Sequence, residues 1–193
     1  MTGTLFIVAT PIGNLDDITF RAVEVLKSVD IVLAEDTRHS KKLLLHLGIS
    51  KPIRAFHEYN EREKTKAIIG EIYSGKSIAL ISDAGTPLIS DPGYFLVAQA
   101  KKECLRVVPI PGPSALITAL SASGLASDRF TFLGFLPSKK TARVKLLKSL
   151  INRTETSIFY ESPKRIVATL TDMHRIFGDN REVCLAKELT KAF

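Results

Sequence analysis

The sequence predicts an α/β protein of two α/β domains, residues 1–116 and 117–193. Three observations carry that expectation. Short apolar, β-branched runs alternate with stretches of helical periodicity, the pattern of βαβ units on a largely parallel sheet. Two loops rich in Pro and Gly, Ser82–Gly93 and Pro111–Ser114, each follow directly on an apolar run. Ligands of open α/β sheets bind outside the carboxyl ends of strands, where those loops fall. After Leu125 the spacing of the elements changes, which marks the second domain.

Element by element, Leu5–Ala9 reads as a strand and Asp17–Ser28 as a helix, with Ile18, Ala22, Val25 and Leu26 at helical spacing. Ile31–Ala34 is a second strand, and Ser40–Leu47 a short helix stopped by Gly48. Ile53–Phe56 is read as a strand, Glu61–Ser74 as a helix, Ser77–Ile81 as a strand and the stretch from Tyr94 as a helix. Arg106–Ile110 is a strand leading to a helix over Ala115–Ser123, with Ser114 suited to cap it. Beyond these, Phe130–Phe135, Thr156–Tyr160 and Val183–Ala186 are predicted strands, separated by helices at Lys139–Ile151 and Pro163–Phe177.

Composition bounds the function. With 193 residues, 45% hydrophobic and 24% charged, the chain can bury one sizeable core or two small ones. No apolar run approaches the roughly 18–20 residues of a membrane helix, and the start carries no basic, cleavable leader, so the cytoplasm is the expected compartment. Cys104 and Cys184 stand apart with no metal-ligand spacing, and buried thiols are expected. No metal site is predicted. A net charge of +7 favours polyanionic partners such as nucleic acid. The Walker phosphate loop, the dinucleotide fingerprint, H-E-x-x-H and G-x-S-x-G are all missing, which disfavours nucleotide-binding, metalloenzyme and hydrolase classes.

Six segments then occur in a telling order: TPIGNLDDIT at 10–19, DIVLAEDTR at 30–38, SDAGTPLISDPG at 82–93, PGPSA at 111–115, YESPKR at 160–165 and KELTK at 187–191. Together they resemble the motif series of the tetrapyrrole-methylase superfamily, and most closely the branch that methylates the ribose 2′-oxygen of a cytidine in bacterial 16S ribosomal RNA. The resemblance covers nearly the whole chain. It implies two α/β domains with S-adenosylmethionine in the cleft between them, a homodimer, and the 16S RNA or small ribosomal subunit as partner. Carried over by position, the cofactor contacts are Pro11, Ala84, Gly85, Thr86, Ile89, Ser114, Ala115, Tyr160 and Ala186. Small-molecule members carry G-D-P where this chain has Gly85, Thr86 and Pro87, so the acid is replaced here. Members of the branch also continue beyond the KELTK segment, whereas this sequence ends at Phe193, which leaves the second domain incomplete on this reading.

Methyl transfer from a sulfonium to a ribose hydroxyl is an in-line displacement, helped by alignment and by removal of the hydroxyl proton. Candidates at strand ends are Glu35, Asp36 and Arg38 after the second strand, and His57 and Glu58 after the third, with Asn60 close by. For Glu35 and Asp36 the competing reading is an acid pair capping the helix that follows. His57 reads equally as a solvated loop residue, and Arg38 either holds a phosphate or pairs with Asp36. The sequence leaves these alternatives open.

A run from Arg129 to Arg153 carries no acid, and a helix from Lys139 presents Lys139, Lys140, Arg143, Lys145 and Lys148 on more than one face. A solvated helix normally mixes signs, so Lys139, Lys140 and Arg143, with Lys164 and Arg165, are the expected RNA contacts; an ordinary exposed basic helix is the competing reading. Two other functions share parts of this pattern. A small-molecule, tetrapyrrole-type methylase has the same fold and cofactor but less use for the basic helix, and a non-catalytic RNA-binding fragment has the helix without the chemistry.

Overall fold

The structure, a computed structural model, describes residues 2–191. The chain forms two compact units, Met1–Ala115 with Thr190–Phe193, and Leu116–Leu189. In the first, β1 (Thr4–Val8), α1 (Phe20–Ser28), β2 (Ile31–Ala34), α2 (Thr37–His46), β3 (Ile53–Ala55), α3 (Glu61–Tyr73), β4 (Ile78–Ile81), α4 (Tyr94–Lys102) and β5 (Arg106–Ile110) alternate. The strands form one wholly parallel sheet in the order β3-β2-β4-β1-β5.

That order and the alternation of side chains produce two cores. Successive strand residues point to opposite faces, so Leu5, Leu33, Ile78 and Leu80 meet Ile68, Ile72 and Leu96 of α3 and α4. Val8, Val32, Ala34, Ala79 and Ile81 meet Ala22 and Leu26 of α1 and Leu44 of α2 on the other face. β2 and β4 are buried at every position, as continuous apolar strands covered on both faces should be. The chain therefore leaves β1 towards one face and β4 towards the other, although the two strands are neighbours in the sheet. Such a divergence opens a crevice at the carboxyl ends of the strands.

Caps set the helix limits. Thr19 is extended and accepts from the Ala22 N–H, so α1 starts at Phe20, and the predicted helix from Asp17 begins instead with a single 3-10 turn at Leu15–Asp17. Asp36 caps α2 by accepting from the Arg38 N–H, and the helix starts three residues before the predicted Ser40.

The second unit pairs β6 (Phe130–Phe135) with β7 (Thr156–Tyr160) in parallel, and α6 (Lys140–Ser149) packs with α7 (Ile166–Phe177). α5 (Ala115–Ala122) spans the division between the units. Two expectations fail here. Val183–Ala186 is not a strand: the segment is exposed, and none of the described strands pairs with it, so its apolar run has no ladder to join. Cys104 and Cys184 are exposed free thiols; Cys104 sits in the turn that ends α4, at φ 55, outside the apolar interior.

Candidate active site at the strand ends

The loops that leave β4, β1 and β5, adjacent in the sheet, are bonded to one another. Thr10 and Gly85 exchange backbone hydrogen bonds of 2.9 and 3.0 Å as an isolated antiparallel bridge. The buried Thr10 hydroxyl donates to the Ser82 carbonyl (2.9 Å), and Ser82 Oγ donates to the Gly85 carbonyl (2.9 Å). Thr86 Oγ1 donates to the Pro113 carbonyl at 3.0 Å, joining the third loop. Gly85 stands at φ +89, a conformation that side-chain-bearing residues rarely adopt. Its neighbour Ala84 is exposed, as are Ile89 and Ala115; Thr86 and Ser114 are half-buried and Pro11 is buried.

The far end of the β4–α4 loop is held by a residue the sequence reading missed. Glu61, 4% exposed, accepts from the backbone N–H groups of Gly93 (3.0 Å), Phe95 (2.8 Å) and Leu96 (3.4 Å). Gly93 is the N-cap of α4 but has no side chain with which to cap it, so the carboxylate at the start of α3 does so from outside. Between the two anchors, Leu88 and Ser90 adopt φ 72 and 65. Non-glycine residues in that region are strained and cluster at functional sites. A Glu beginning a helical pattern 32 residues from a Gly-headed helix carries no local sign of this partnership.

Glu35, at the end of β2, lies close enough to Asp83, His57 and Glu58 for their charges to act on it. Burial raises its pKa first, and Asp83 and Glu58 add to the rise while His57 opposes it. Asp91 is pushed up to about 6 by burial, then by the nearby Glu35 and Asp83. Asp83 also accepts from the Asp36 N–H at 3.1 Å, which ties the end of β2 to that of β4. The ends of β2, β3 and β4 thus gather one group of carboxylates with His57. Sequence reasoning found Glu35, His57 and Glu58; Asp83 and Asp91 stood inside the quoted loop but read as turn residues.

Asp36 and Arg38 answer to the structural alternative. Asp36 accepts from Arg38 through Nη2 (3.1 Å), Nε (3.3 Å) and the backbone N–H (2.8 Å). Those bonds hold its pKa down at about 2, which makes it a poor base. Arg38 pairs with Asp36 while its side chain stays 89% exposed.

Among the expected RNA contacts, Arg143 is a correction. It is 5% exposed, and its Nε and Nη2 donate to Asp172 Oδ2 at 3.0 and 2.8 Å, while Arg175 reaches Asp172 Oδ1 at 3.3 Å. The run without acids finds its acid on α7, 29 residues away, where no count along the chain reveals it. Arg165 likewise pairs with Glu161 and donates to the Leu136 carbonyl (3.1 Å). Lys139, Lys140, Lys145, Lys148 and Lys164 are exposed. Tyr160, at the end of β7, makes edge-to-face contacts with Phe132 (4.9 Å) and Phe135 (5.6 Å), and Ala186 lies in the exposed irregular segment. An open depression of about 520 Å³ in the second unit, lined by Asp128, Phe130 and Glu155 among others, includes none of the predicted site residues. Among the described residues no group of three or more His, Cys, Asp or Glu is placed to hold a metal, and no helix is long and apolar enough to cross a membrane.

A parallel sheet with bonded Pro/Gly loops at its strand ends, followed by a second α/β unit, is the architecture of a methylase of the tetrapyrrole type. The chain belongs to the tetrapyrrole (corrin/porphyrin) methylase family, whose family model matches residues 4–193. It is 55% identical over 193 residues to ribosomal RNA small subunit methyltransferase I of Haemophilus influenzae, covering 100% of this chain and 68% of that protein. The Vibrio cholerae protein of the same name is 57% identical over 189 residues, covering 98% of this chain and 66% of that one. This chain therefore spans about two thirds of the length of these relatives. Among solved structures, the fold resembles a conserved hypothetical protein of Aeropyrum pernix K1 (TM-score 0.71, 18% identity, 92% of this chain and 67% of that one). It also resembles uroporphyrin-III C-methyltransferase of Thermus thermophilus (TM-score 0.63, 18% identity, 92% and 78%).

Proposed function

We propose that this chain carries the core of a methyltransferase that transfers the methyl group of S-adenosylmethionine to the ribose 2′-oxygen of a cytidine in the RNA of the small ribosomal subunit. The observation that carries the reading is whole-chain identity of 55% to a protein named for methylating that RNA. The bonded loops at the strand ends support it from the structure, since Ala84 and Ala115 bring main chain to the surface with little side chain in the way, and the buried Gly85 holds the two loops together. These residues fit the cofactor. Pro11, Ala84, Gly85, Thr86, Ile89, Ser114 and Ala115 would hold it, and Tyr160 and Ala186 are added on the resemblance alone. When bound, the cofactor supplies a methyl group activated by the adjacent sulfonium charge.

The chain's own part is to orient the ribose and accept a proton. As the oxygen–carbon bond forms and the carbon–sulfur pair returns to sulfur, the 2′-hydroxyl proton passes to a carboxylate. Glu35 suits that role better than Asp36, because its raised pKa makes it the stronger base. Lys139, Lys140, Lys145 and Lys148, with Lys164, supply cations for phosphate contacts. A cytoplasmic homodimer completes the proposal.

Calorimetry with S-adenosylmethionine tests the first half. Transfer of labelled methyl to purified small ribosomal subunits, with the product nucleoside identified by mass spectrometry, tests the second. The expected product is 2′-O-methylcytidine, and a methylated base would overturn the ribose assignment.

A further inference from the structure

The turn between β3 and α3 contains a hydrogen-bond pattern with only one consistent assignment of protons. Asn60 Oδ1 lies 2.9 Å from the backbone N of His57, a group that can only donate, so the oxygen of this amide faces it and the NH₂ faces the other way. The two protons of Nδ2 have two acceptors, the Ala55 carbonyl at 3.5 Å and His57 Nε2 at 2.8 Å. Reversing the amide would set Nδ2 against the backbone N–H, donor against donor. A proton on Nε2 would likewise meet Nδ2–H. Nε2 must therefore present its lone pair, and the proton of the neutral ring sits on Nδ1. The same turn is closed by the His57 carbonyl, which accepts from the N–H groups of Asn60 (3.0 Å) and Glu61 (2.9 Å), so Asn60 cannot leave without opening the start of α3.

His57 Nδ1 is itself buried and has no hydrogen-bond partner among the described residues. An unsatisfied buried donor costs about 1–3 kcal/mol, and such a group in a native protein calls for an acceptor supplied from outside. It stands in the carboxylate group of Glu35 and Glu58, beside the proposed reaction centre.

We propose that Asn60 is a positioning residue that locks His57 as the Nδ1–H tautomer, making His57 a fixed hydrogen-bond donor to an oxygen of the bound nucleotide and excluding it as the base. This rests on the methyltransferase reading for the identity of the acceptor, but the tautomer does not. The base then has to be a carboxylate, and the proton of the 2′-hydroxyl passes to Glu35 rather than to the ring.

The test uses ¹⁵N-histidine-labelled protein at mildly alkaline pH, where nitrogen shifts and their couplings to ring protons separate the two neutral tautomers. His57 is assigned by its loss in His57→Gln. The expected result is a protonated Nδ1 and an unprotonated Nε2. Asn60→Asp keeps the shape and the acceptor for the His57 N–H but turns the group facing Nε2 into an acceptor, so the proton should move to Nε2. A parent protein with the proton on Nε2, or an Asn60→Asp protein that keeps it on Nδ1, overturns the proposal. Neither readout needs turnover, so failure here is distinct from failure of the proposed function. In methyl transfer, Asn60→Asp should lower kcat roughly 10- to 100-fold, as expected for one lost hydrogen bond to a polar or charged group, with KM for S-adenosylmethionine unchanged. Equal losses in kcat and cofactor binding would reduce Asn60 to a purely structural role and overturn the donor assignment.

Discussion

Thr10 and Gly85 exchange two backbone hydrogen bonds, of 2.9 and 3.0 Å, across 75 residues of sequence, and so join the loop after β1 to the loop after β4. That bridge exists because Gly85 accepts φ +89. A Cβ there meets Ile12 Cγ2 at 3.4 Å, so space alone does not forbid a side chain; the backbone conformation does. Gly85→Val should cost about 1–2 kcal/mol in strain, leave the circular dichroism of the folded protein intact and abolish S-adenosylmethionine binding in calorimetry. Unchanged affinity would remove Gly85 from the cofactor site.

Glu61 holds three N–H groups at the head of α4. Glu61→Ala strands those donors in a buried place and should destabilise the first unit by about 2 kcal/mol in urea melts. Glu61→Gln keeps an acceptor oxygen and should recover much of the loss.

Arg143 and the exposed lysines should part company under mutation. Arg143→Ala leaves Asp172 buried with one weaker partner and should cost about 3–5 kcal/mol. Lys139→Ala, Lys140→Ala and Lys145→Ala together should leave stability within about 0.5 kcal/mol while weakening RNA binding. Each lost contact should flatten the log–log salt dependence by about 0.7–0.9, depending on strandedness. A salt slope equal to the parent's would make α6 a solvated face.

Asp91 carries a pH signature. Its folded pKa of about 6 lies above its ordinary 3.8, so between those values the folded state binds more protons than the unfolded one. Stability contributed by this group is present below pH 4 and lost as pH rises through about 6, because the slope of unfolding free energy is negative there. Asp91→Asn should abolish that decline and stabilise the protein above pH 6 by about 1 kcal/mol, after allowance for solvent screening. Melting temperatures across pH 4–7 for parent and variant check the sign.

Glu35 should separate rate from binding. Glu35→Gln is expected to lower methyl transfer by about 10²–10⁴-fold with little change in cofactor affinity, whereas Asp36→Ala should act mainly by removing the cap of α2, at about 1 kcal/mol. A Glu35→Gln rate within a few-fold of the parent's would leave catalysis here to positioning alone.

The sequence by itself determined the alternation of strands and helices, the two Pro/Gly loops and the family, because hydrophobic period, turn chemistry and linear motifs are local properties of the chain. It located Glu35, His57 and Glu58 for the same reason: strand ends are legible from where apolar runs stop. Only the tertiary structure decided which charges are spent. Arg143 reads as a free cation until α7 brings Asp172 within 2.8 Å, and Glu61 reads as a solvated helix residue until Gly93 leaves α4 without a cap. Val183–Ala186 is a short apolar run like a strand but has no described partner to pair with. Asn60 stood beside His57 among the strand-end candidates, but that its amide faces both the His57 backbone N–H and the ring Nε2 depends on distance and direction in space. Partners brought together by long-range packing leave no mark on the composition or spacing of either segment.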